Sequence, residues 1–307
     1  MTKLRIEGSF VASVTPFDAK GEVDFGAFRA LIEHMRDHGT RAILFMGSTG
    51  EPSLLSPEEK RRIVVETVKM RPAAMKFFYG CTSATARQVT ESVHFAQANG
   101  ADGAIIAAPP YINGSEADIE QFYLEIADAV TLPLGIYNNA PRVKTDLREE
   151  HLLRLFGHPN IVIHKESTTR VSQVARLLAA KPDVTMMCCD SPNLGLIVPT
   201  MALGGHGTAN MSGNLAPAEM AVVSQPWSSA ADAVNFKEQY LRLLPLLHFN
   251  YSATNPVAIK SLMKACGLPV GFLRKPLRNL EGEALENGIR IVRELGLDRK
   301  YGYRLSQ

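Results

Sequence analysis

Cysteine is scarce and unpatterned in this chain. Cys81, Cys188, Cys189 and Cys266 are the only four, with no CxxC pair and no Cys/His metal spacing. A disulfide framework and a zinc module are therefore excluded, and reduced cytosolic thiols filling small core sites are expected. On a strand, adjacent Cys188 and Cys189 would face opposite ways. Long apolar runs are also missing, so no bilayer-spanning segment is expected. The start, Met1-Thr2-Lys3-Leu4-Arg5-Ile6-Glu7, has no apolar h-region and no cleavage pattern. No signal peptide is expected, and a cytoplasmic location is. Neither sign of charge dominates: 33 basic against 31 acidic residues leave a net charge of +2. With no basic block and no basic stripe interleaved with aromatics, nucleic acid is not an expected partner.

What is present is a repeated alternation of apolar strand and amphipathic helix. Strand one reads Phe10 to Phe17, followed by a helix from Asp24 to His38. Strand two, Ala42 to Met46, runs into Gly47-Ser48-Thr49-Gly50-Glu51 and a helix from Pro57 to Met70. That helix opens on Ser56-Pro57-Glu58-Glu59, an N-cap with proline and acids behind it. Strands three to five are Lys76 to Cys81, Gly103 to Ala108 and Leu134 to Asn138. Helices from Thr85 to Ala98, Glu116 to Ala129 and Asp146 to Phe156 follow them in turn. Strand six begins at Ile161 and ends on a lysine, with a helix from Val171 to Ala180. Strands seven and eight are Val184 to Cys189 and Gly207 to Met211, with helices from about Asn193 and from Pro217. Eight βα units imply a parallel sheet covered by helices, and eight is the number that closes a TIM barrel. An open dinucleotide-binding sheet is disfavoured, because the first βα turn, Pro16-Phe17-Asp18, carries no GxGxxG. The α/β barrel is expected over 1–228. A C-terminal helical extension is expected over 229–307, with helices near Ala231 to Leu247, Pro256 to Cys266 and Gly282 to Leu295.

A TIM barrel keeps its chemistry at the C-terminal ends of its strands. There strand two gives Ser48 and Thr49, strand four Tyr111, strand five Tyr137, strand six Lys165, strand seven Asp190, and strand eight Asn210 and Ser212. Alternation turns Lys165 inward and sends His164 and Glu166 toward the helices. A desolvated lysine amine is the nucleophile of Schiff-base chemistry, and a phenol beside it can move protons. Each residue also has a plainer role. Lys165 could cap its strand and reach solvent. Tyr137 could be an interface tyrosine. Gly47 to Gly50 could be only a turn, and this turn lacks the lysine of a P-loop. His164 reads as a satisfied second-layer histidine. Asp190 could bind substrate hydroxyls or cap a helix, and Arg142 could meet a substrate carboxylate or form an exposed salt bridge. The concentration of all of them at one barrel end is what the plainer roles leave unexplained.

Several motifs in fixed order resemble one family. They are Gly47-Ser48-Thr49-Gly50-Glu51, Tyr137-Asn138, Lys165-Glu166-Ser167, Gly204-Gly205-His206-Gly207, and Asn255 to Lys260. Over its whole length the chain resembles the pyruvate-dependent class I lyases of the dihydrodipicolinate synthase and N-acetylneuraminate lyase family. The resemblance implies a Schiff base of Lys165 with pyruvate, Tyr137 as proton shuttle, and Ser48 and Tyr111 completing a relay, Tyr111 being lent by a neighbouring subunit. It implies that Ser48 and Thr49, helped by the backbone of the turn at Gly47, hold the pyruvate carboxylate and that Ala209 and Asp190 border the substrate. Arg142 would meet the carboxylate of aspartate semialdehyde. It implies no metal or organic cofactor, an aldehyde as second partner, and a homotetramer built as a dimer of dimers. Arg142 favours the synthase, whereas Ser48 matches the neuraminate lyases. The loops Asn139 to Lys144 and Cys188 to Pro192 depart from the synthase pattern, which keeps open a catabolic aldolase, dehydratase or deaminase acting on a sugar-derived 2-oxo acid. A non-catalytic barrel that binds 2-oxo acids is the remaining alternative. Lys60, Ala84, Gln88 and Pro110 stand where a lysine-regulated synthase would show other residues, so no lysine inhibition is expected.

Overall fold

A computed structural model describes residues 3–305. Eight strands, β1 (Gly8–Ala12), β2 (Ala42–Phe45), β3 (Lys76–Gly80), β4 (Gly103–Ala107), β5 (Leu134–Asn138), β6 (Ile161–Glu166), β7 (Thr185–Cys188) and β8 (Gly207–Asn210), pair in parallel in sequence order. The sheet closes where β8 pairs with β1. Helices α1 (Phe25–Asp37), α2 (Pro57–Val68), α3 (Ala86–Ala98), α4 (Glu116–Ala129), α5 (Ala140–Val143), α6 (Glu149–Phe156), α7 (Val171–Ala179), α8 (Ile197–Ala202) and α9 (Pro217–Val223) fall in the connections. A C-terminal helical part follows: α10 (Ala230–Asn250), α11 (Val257–Ala265), α12 (Gly282–Glu294) and α13 (Leu297–Tyr301). This is the TIM barrel with a helical extension.

Period-two burial builds the barrel. Phe10, Ala12, Leu44, Phe78, Ile105, Met187 and Ala209 fill its interior. Val11, Ile43, Phe77, Ile106 and Ile136 face the helices instead. Phe10 and Phe78 meet across the axis with ring centroids 5.1 Å apart. Truncating either to alanine is worth roughly 3–5 kcal/mol of stability. Helix starts follow local chemistry. Ser56 Oγ accepts from Glu59 N, and the Glu59 carboxylate accepts from Ser56 N, with Pro57 leading α2. Ser115 and Asp118 repeat the arrangement at α4.

One irregularity sets the position of the lysine. Leu134 pairs with Ile161 but Gly135 pairs with Ile163, so Val162 is an extra residue in β6. Ile161 faces the helices, while Val162 and Ile163 both enter the interior cluster. Alternation resumes beyond the bulge.

The elements differ from the sequence reading mainly at their ends. β1 stops at Ala12 rather than Phe17, because Pro16 has no N–H for a ladder and the chain turns through an isolated Phe17–Val23 bridge. β7 stops at Cys188, so strand alternation does not reach Cys189, and both thiols join the helix-side core. All four cysteines are free and buried. Pro192 to Gly195 is spent on turns, which delays α8 to Ile197. The loop after β5 folds its Pro141 into the short α5, and α13 forms after Gly296 takes a left-handed conformation. Neither helix is expected from periodicity. No helix among the described residues is long and apolar enough to cross a membrane.

Candidate active site

Tyr137 on β5 lies opposite Lys165 on β6 in the ladder. Lys165 is 5% exposed, and its Nζ stands 4.2 Å from the centroid of the Tyr137 ring. A desolvated amine on a phenol face is an attractive contact of up to about 2 kcal/mol when the amine is charged. A cavity of about 440 Å³ opens above this pair, and Gly47, Ser48, Tyr137 and Arg142 are in its wall. Lys165 is not in that wall; its amine packs on the ring of Tyr137, which is.

The turn after β2 supplies the opposite wall. A side chain at Gly47 would put its Cβ 2.8 Å from Leu44 Cδ2, so the Leu44 side chain would have to shift to admit one. Ser48 to Gly50 form one 3₁₀ turn closed by Gly50 N donating to Gly47 O at 2.8 Å. The turn is bracketed by two strained residues, Met46 and Glu51, each with φ of 55°. Such left-handed non-glycine positions cost on the order of 1–3 kcal/mol and need outside support. Glu51 has it. Its Oε1 accepts from Lys260 Nζ at 2.6 Å and its Oε2 from Arg274 N at 2.9 Å. Lys260 also donates to Thr15 O at 2.7 Å and lies 4.2 Å from the Phe17 ring centroid. Burial pushes the Lys260 ammonium down to about 8, with Glu51 pulling the other way. Close approach of the extension to the β1 loop is possible because Gly271 has φ of 66°; a Cβ there would sit 1.7 Å from Phe17 O.

The structure brings some expected residues together and parts others from them. Thr49 is buried below the turn, where its Oγ1 accepts from Asn255 Nδ2 at 3.1 Å. Asn255 Nδ2 also reaches Ser48 Oγ at 3.5 Å. Arg142 forms no salt bridge among the described residues; its Nη2 donates to Asn255 O at 2.9 Å. Ala209 lies inside the barrel, in the interior cluster rather than on the cavity wall. Asp190 departs from both roles considered for it. It is buried, away from the cavity wall, and its carboxylate accepts from Met211 N, Ser212 N, Ser212 Oγ and Tyr251 OH. It does not cap the helix that follows β7, and both of its oxygens are already occupied, by the start of the 3₁₀ turn at Ser212 and by Tyr251. Asn210 is likewise occupied, by Ser9 and Thr208. Tyr111 is fully exposed at φ of 72°, outside this chain's own cavity. His164 is satisfied on one side only: Nε2 donates to Glu166 at 3.0 Å, and Nδ1 has no partner among the described residues.

Reading the sequence misses the parts played by Asn255, Glu51 and Lys260. All three lie in quoted motifs, Gly47 to Glu51 and Asn255 to Lys260. The signal was available in the form of a glutamate and a lysine with no surface pattern, but their partnership across more than two hundred residues is not.

A closed parallel barrel with a buried lysine and a tyrosine on adjacent strands beside a small polar turn suits Schiff-base chemistry on a carbonyl substrate, the chemistry of class I lyases. Comparison with known proteins agrees. A model of the dihydrodipicolinate synthetase family matches residues 5–295, and the chain belongs to that family. It is 32% identical over 293 residues to the 4-hydroxy-tetrahydrodipicolinate synthase of Thermodesulfovibrio yellowstonii, covering 95% of this chain and 99% of that one. It is 30% identical to the enzyme of the same name from Methanococcus maripaludis, over 89% and 92% of the two chains. Among solved structures, the chloride-inhibited dihydrodipicolinate synthase of Acinetobacter baumannii, complexed with pyruvate, superposes with a TM-score of 0.86 at 28% identity, covering 95% of this chain and 99% of that one.

Proposed function

We propose that the chain condenses pyruvate with aspartate semialdehyde, as a 4-hydroxy-tetrahydrodipicolinate synthase does. The carrying observation is the pairing of Lys165 with Tyr137 beneath a cavity that also holds Ser48 and Arg142. In this reading the Lys165 amine attacks C2 of pyruvate. Water leaves with the keto oxygen, and Tyr137 carries the protons needed to expel it. The iminium then accepts the electron pair released when a C3 proton is removed. The resulting enamine carbon attacks the aldehyde carbon, whose oxygen takes up a proton equivalent to the one lost from C3. Attack at C2 by water or by the amine of the aspartate semialdehyde then breaks the bond to Lys165 and frees its amine. Ser48, Thr49 and the backbone at Gly47 orient the pyruvate carboxylate. Arg142 has guanidinium N–H groups left over from its bond to Asn255 and meets the carboxylate of the aldehyde.

A second reading, cleavage of a 2-keto-3-deoxy sugar acid, is favoured by one feature. Besides Arg142, the outer cavity wall carries the neutral polar residues Asn139, Thr254 and Asn255, which suit hydroxyl groups. Turnover assays decide between them. Consumption of pyruvate with aspartate semialdehyde, at least tenfold more efficient by kcat/KM than cleavage of the sugar acid, is expected. The reverse ratio transfers the chain to the second reading. Binding of a 2-oxo acid with no turnover at all would favour a non-catalytic barrel.

The reading extends to assembly and place: a cytoplasmic homotetramer, a dimer of dimers, in which Tyr111 enters a neighbour's site. Tyr111 and Ile112, exposed side by side, support this. Tyr111→Phe is expected to lower kcat while leaving the mass measured by light scattering unchanged.

A further inference from the structure

The motifs Tyr137-Asn138 and Lys165-Glu166-Ser167 each contain a residue that the reaction leaves unused. Asn138 and Glu166 follow the tyrosine and the lysine by one position, and so face the helix layer. Both are buried, and they stand opposite each other in the ladder. Asn138 Nδ2 donates to Glu166 Oε1 at 2.9 Å. That oxygen also accepts from Ser167 N at 2.9 Å. Glu166 Oε2 accepts from His164 Nε2 at 3.0 Å and Gln173 Nε2 at 2.9 Å. Four N–H donors thus converge on one carboxylate, and no lysine or arginine forms a salt bridge with it among the described residues. Both oxygens of this buried carboxylate are satisfied, and a carboxylate held from four sides rigidifies its surroundings.

The network reaches further on the Asn138 side. Asn138 Oδ1 accepts from Leu147 N at 3.1 Å, and Nδ2 donates to Asp146 Oδ1 at 2.9 Å. Asp146 Oδ2 accepts from Thr168 Oγ1 at 2.8 Å and Arg170 Nη1 at 2.6 Å. The segment that leaves Arg142 is therefore tied back to the strand end that carries Lys165.

We propose that Asn138 and Glu166 are positioning residues: their bond across β5 and β6 holds Tyr137 and Lys165 face to face on the opposite side of the sheet. The need for a brace arises from the bulge at Val162. An extra residue three positions before Lys165 loosens the strand-to-strand register, and a side-chain bond just beyond the reacting pair restores it. The inference rests on the Schiff-base reading of Lys165. Register matters because a misplacement of about 1 Å in a reacting pair can cost on the order of a hundredfold in rate. The turn after β2, proposed to hold the pyruvate carboxylate, shares no direct hydrogen bond with Asn138 or Glu166 among the described residues, so its hold is expected to survive their loss.

The test follows borohydride trapping of the pyruvate adduct, with steady-state kinetics, in the full-length protein. Glu166→Gln keeps the volume but turns one acceptor into a donor facing other donors. Asn138→Ala removes the bond from the other side. Each is expected to slow trapping at saturating pyruvate at least tenfold and to lower kcat equally, with KM for pyruvate within threefold. The double variant should lose no more than the worse single variant, since both remove one bond. Gln173→Leu serves as the comparison. It strips a donor from the same buried carboxylate without crossing the strands, and should trap within threefold of wild type.

Variants that trap at the wild-type rate overturn the inference, and so do additive losses in the double variant. Equal damage from Gln173→Leu also overturns it, since burial rather than register would then be at stake. If Glu166→Gln does not fold, Asn138→Ala against Gln173→Leu carries the same decision. Failure of the wild type to form any adduct overturns the Schiff-base reading and this inference with it.

Discussion

Asn255 is the residue on which several demands meet. Its side-chain amide donates to Thr49 and reaches Ser48, its backbone carbonyl holds Arg142, and it lines the cavity. Asn255→Ala frees both hydroxyls of the turn. KM for pyruvate is expected to rise roughly tenfold, equivalent to about 1.4 kcal/mol and the size of one hydrogen bond. Steady-state kinetics check this; an unchanged KM would show that the turn is set by its backbone alone. At this scale the sequence was legible where chemistry announces itself. A lysine ending a β-branched strand, and a tyrosine ending the strand before it, are unusual enough to be found by reading. Asp190 was not legible. Its carboxylate is consumed by Ser212 and Tyr251, residues 22 and 61 positions away, and no local pattern shows that.

Two elements meet at the Glu51–Lys260 pair, the turn after β2 and helix α11. Both side chains are buried, with relative exposures of 0% and 1%. Desolvation outweighs the attraction of Glu51 in setting the Lys260 ammonium. The pair is therefore a fastener for the strained turn more than a source of stability. Lys260→Met alone leaves a buried carboxylate unpaired and is expected to cost about 3–5 kcal/mol. Adding Glu51→Leu should return most of that in thermal unfolding, yet KM for pyruvate should stay raised because the turn has lost its anchor. A double variant as unstable as the single one contradicts this. Element existence was readable from period and caps, and α4 and β5 match their expected bounds residue for residue. Ends failed where proline or a turn intervened, as at Pro16 and Pro192, because local hydrogen bonds there compete with the ladder.

For the whole molecule, acid should act through His34, where α1 meets the chain's C-terminal segment. Its Nε2 lies 3.0 Å from Tyr303 OH, and the Tyr301 ring packs at 5.2 Å. Burial first, and His38 second, bring its pKa from the ordinary 6.5 down to about 4, against Asp37 and Glu219. The unfolded chain takes up a proton near 6.5 and the folded chain only near 4. The stability held by the neutral ring is full above pH 6.5 and is lost as pH falls toward 4. Unfolding temperatures measured across that window should fall, and fall less in His34→Gln; equal slopes in both proteins contradict the assignment. Regulation is a second property at this scale. Lys60 lines the cavity, and its ammonium is half-buried. It would repel a second ammonium, so L-lysine is expected to leave initial rates unchanged, and dose-dependent inhibition would contradict that. The eight-fold alternation made the barrel readable from the sequence. The seating of the extension on the catalytic face was not, since its contacts span almost the full chain.

Everything proposed for function passes through one covalent bond. Wild-type protein and Lys165→Ala should be incubated with pyruvate and borohydride, digested, and their peptides weighed. The expected result is a reduced pyruvate adduct on the wild-type peptide containing Lys165 and none on the variant. An adduct on any other lysine, or no adduct on the wild type, contradicts the assignment of Lys165 as the Schiff-base residue.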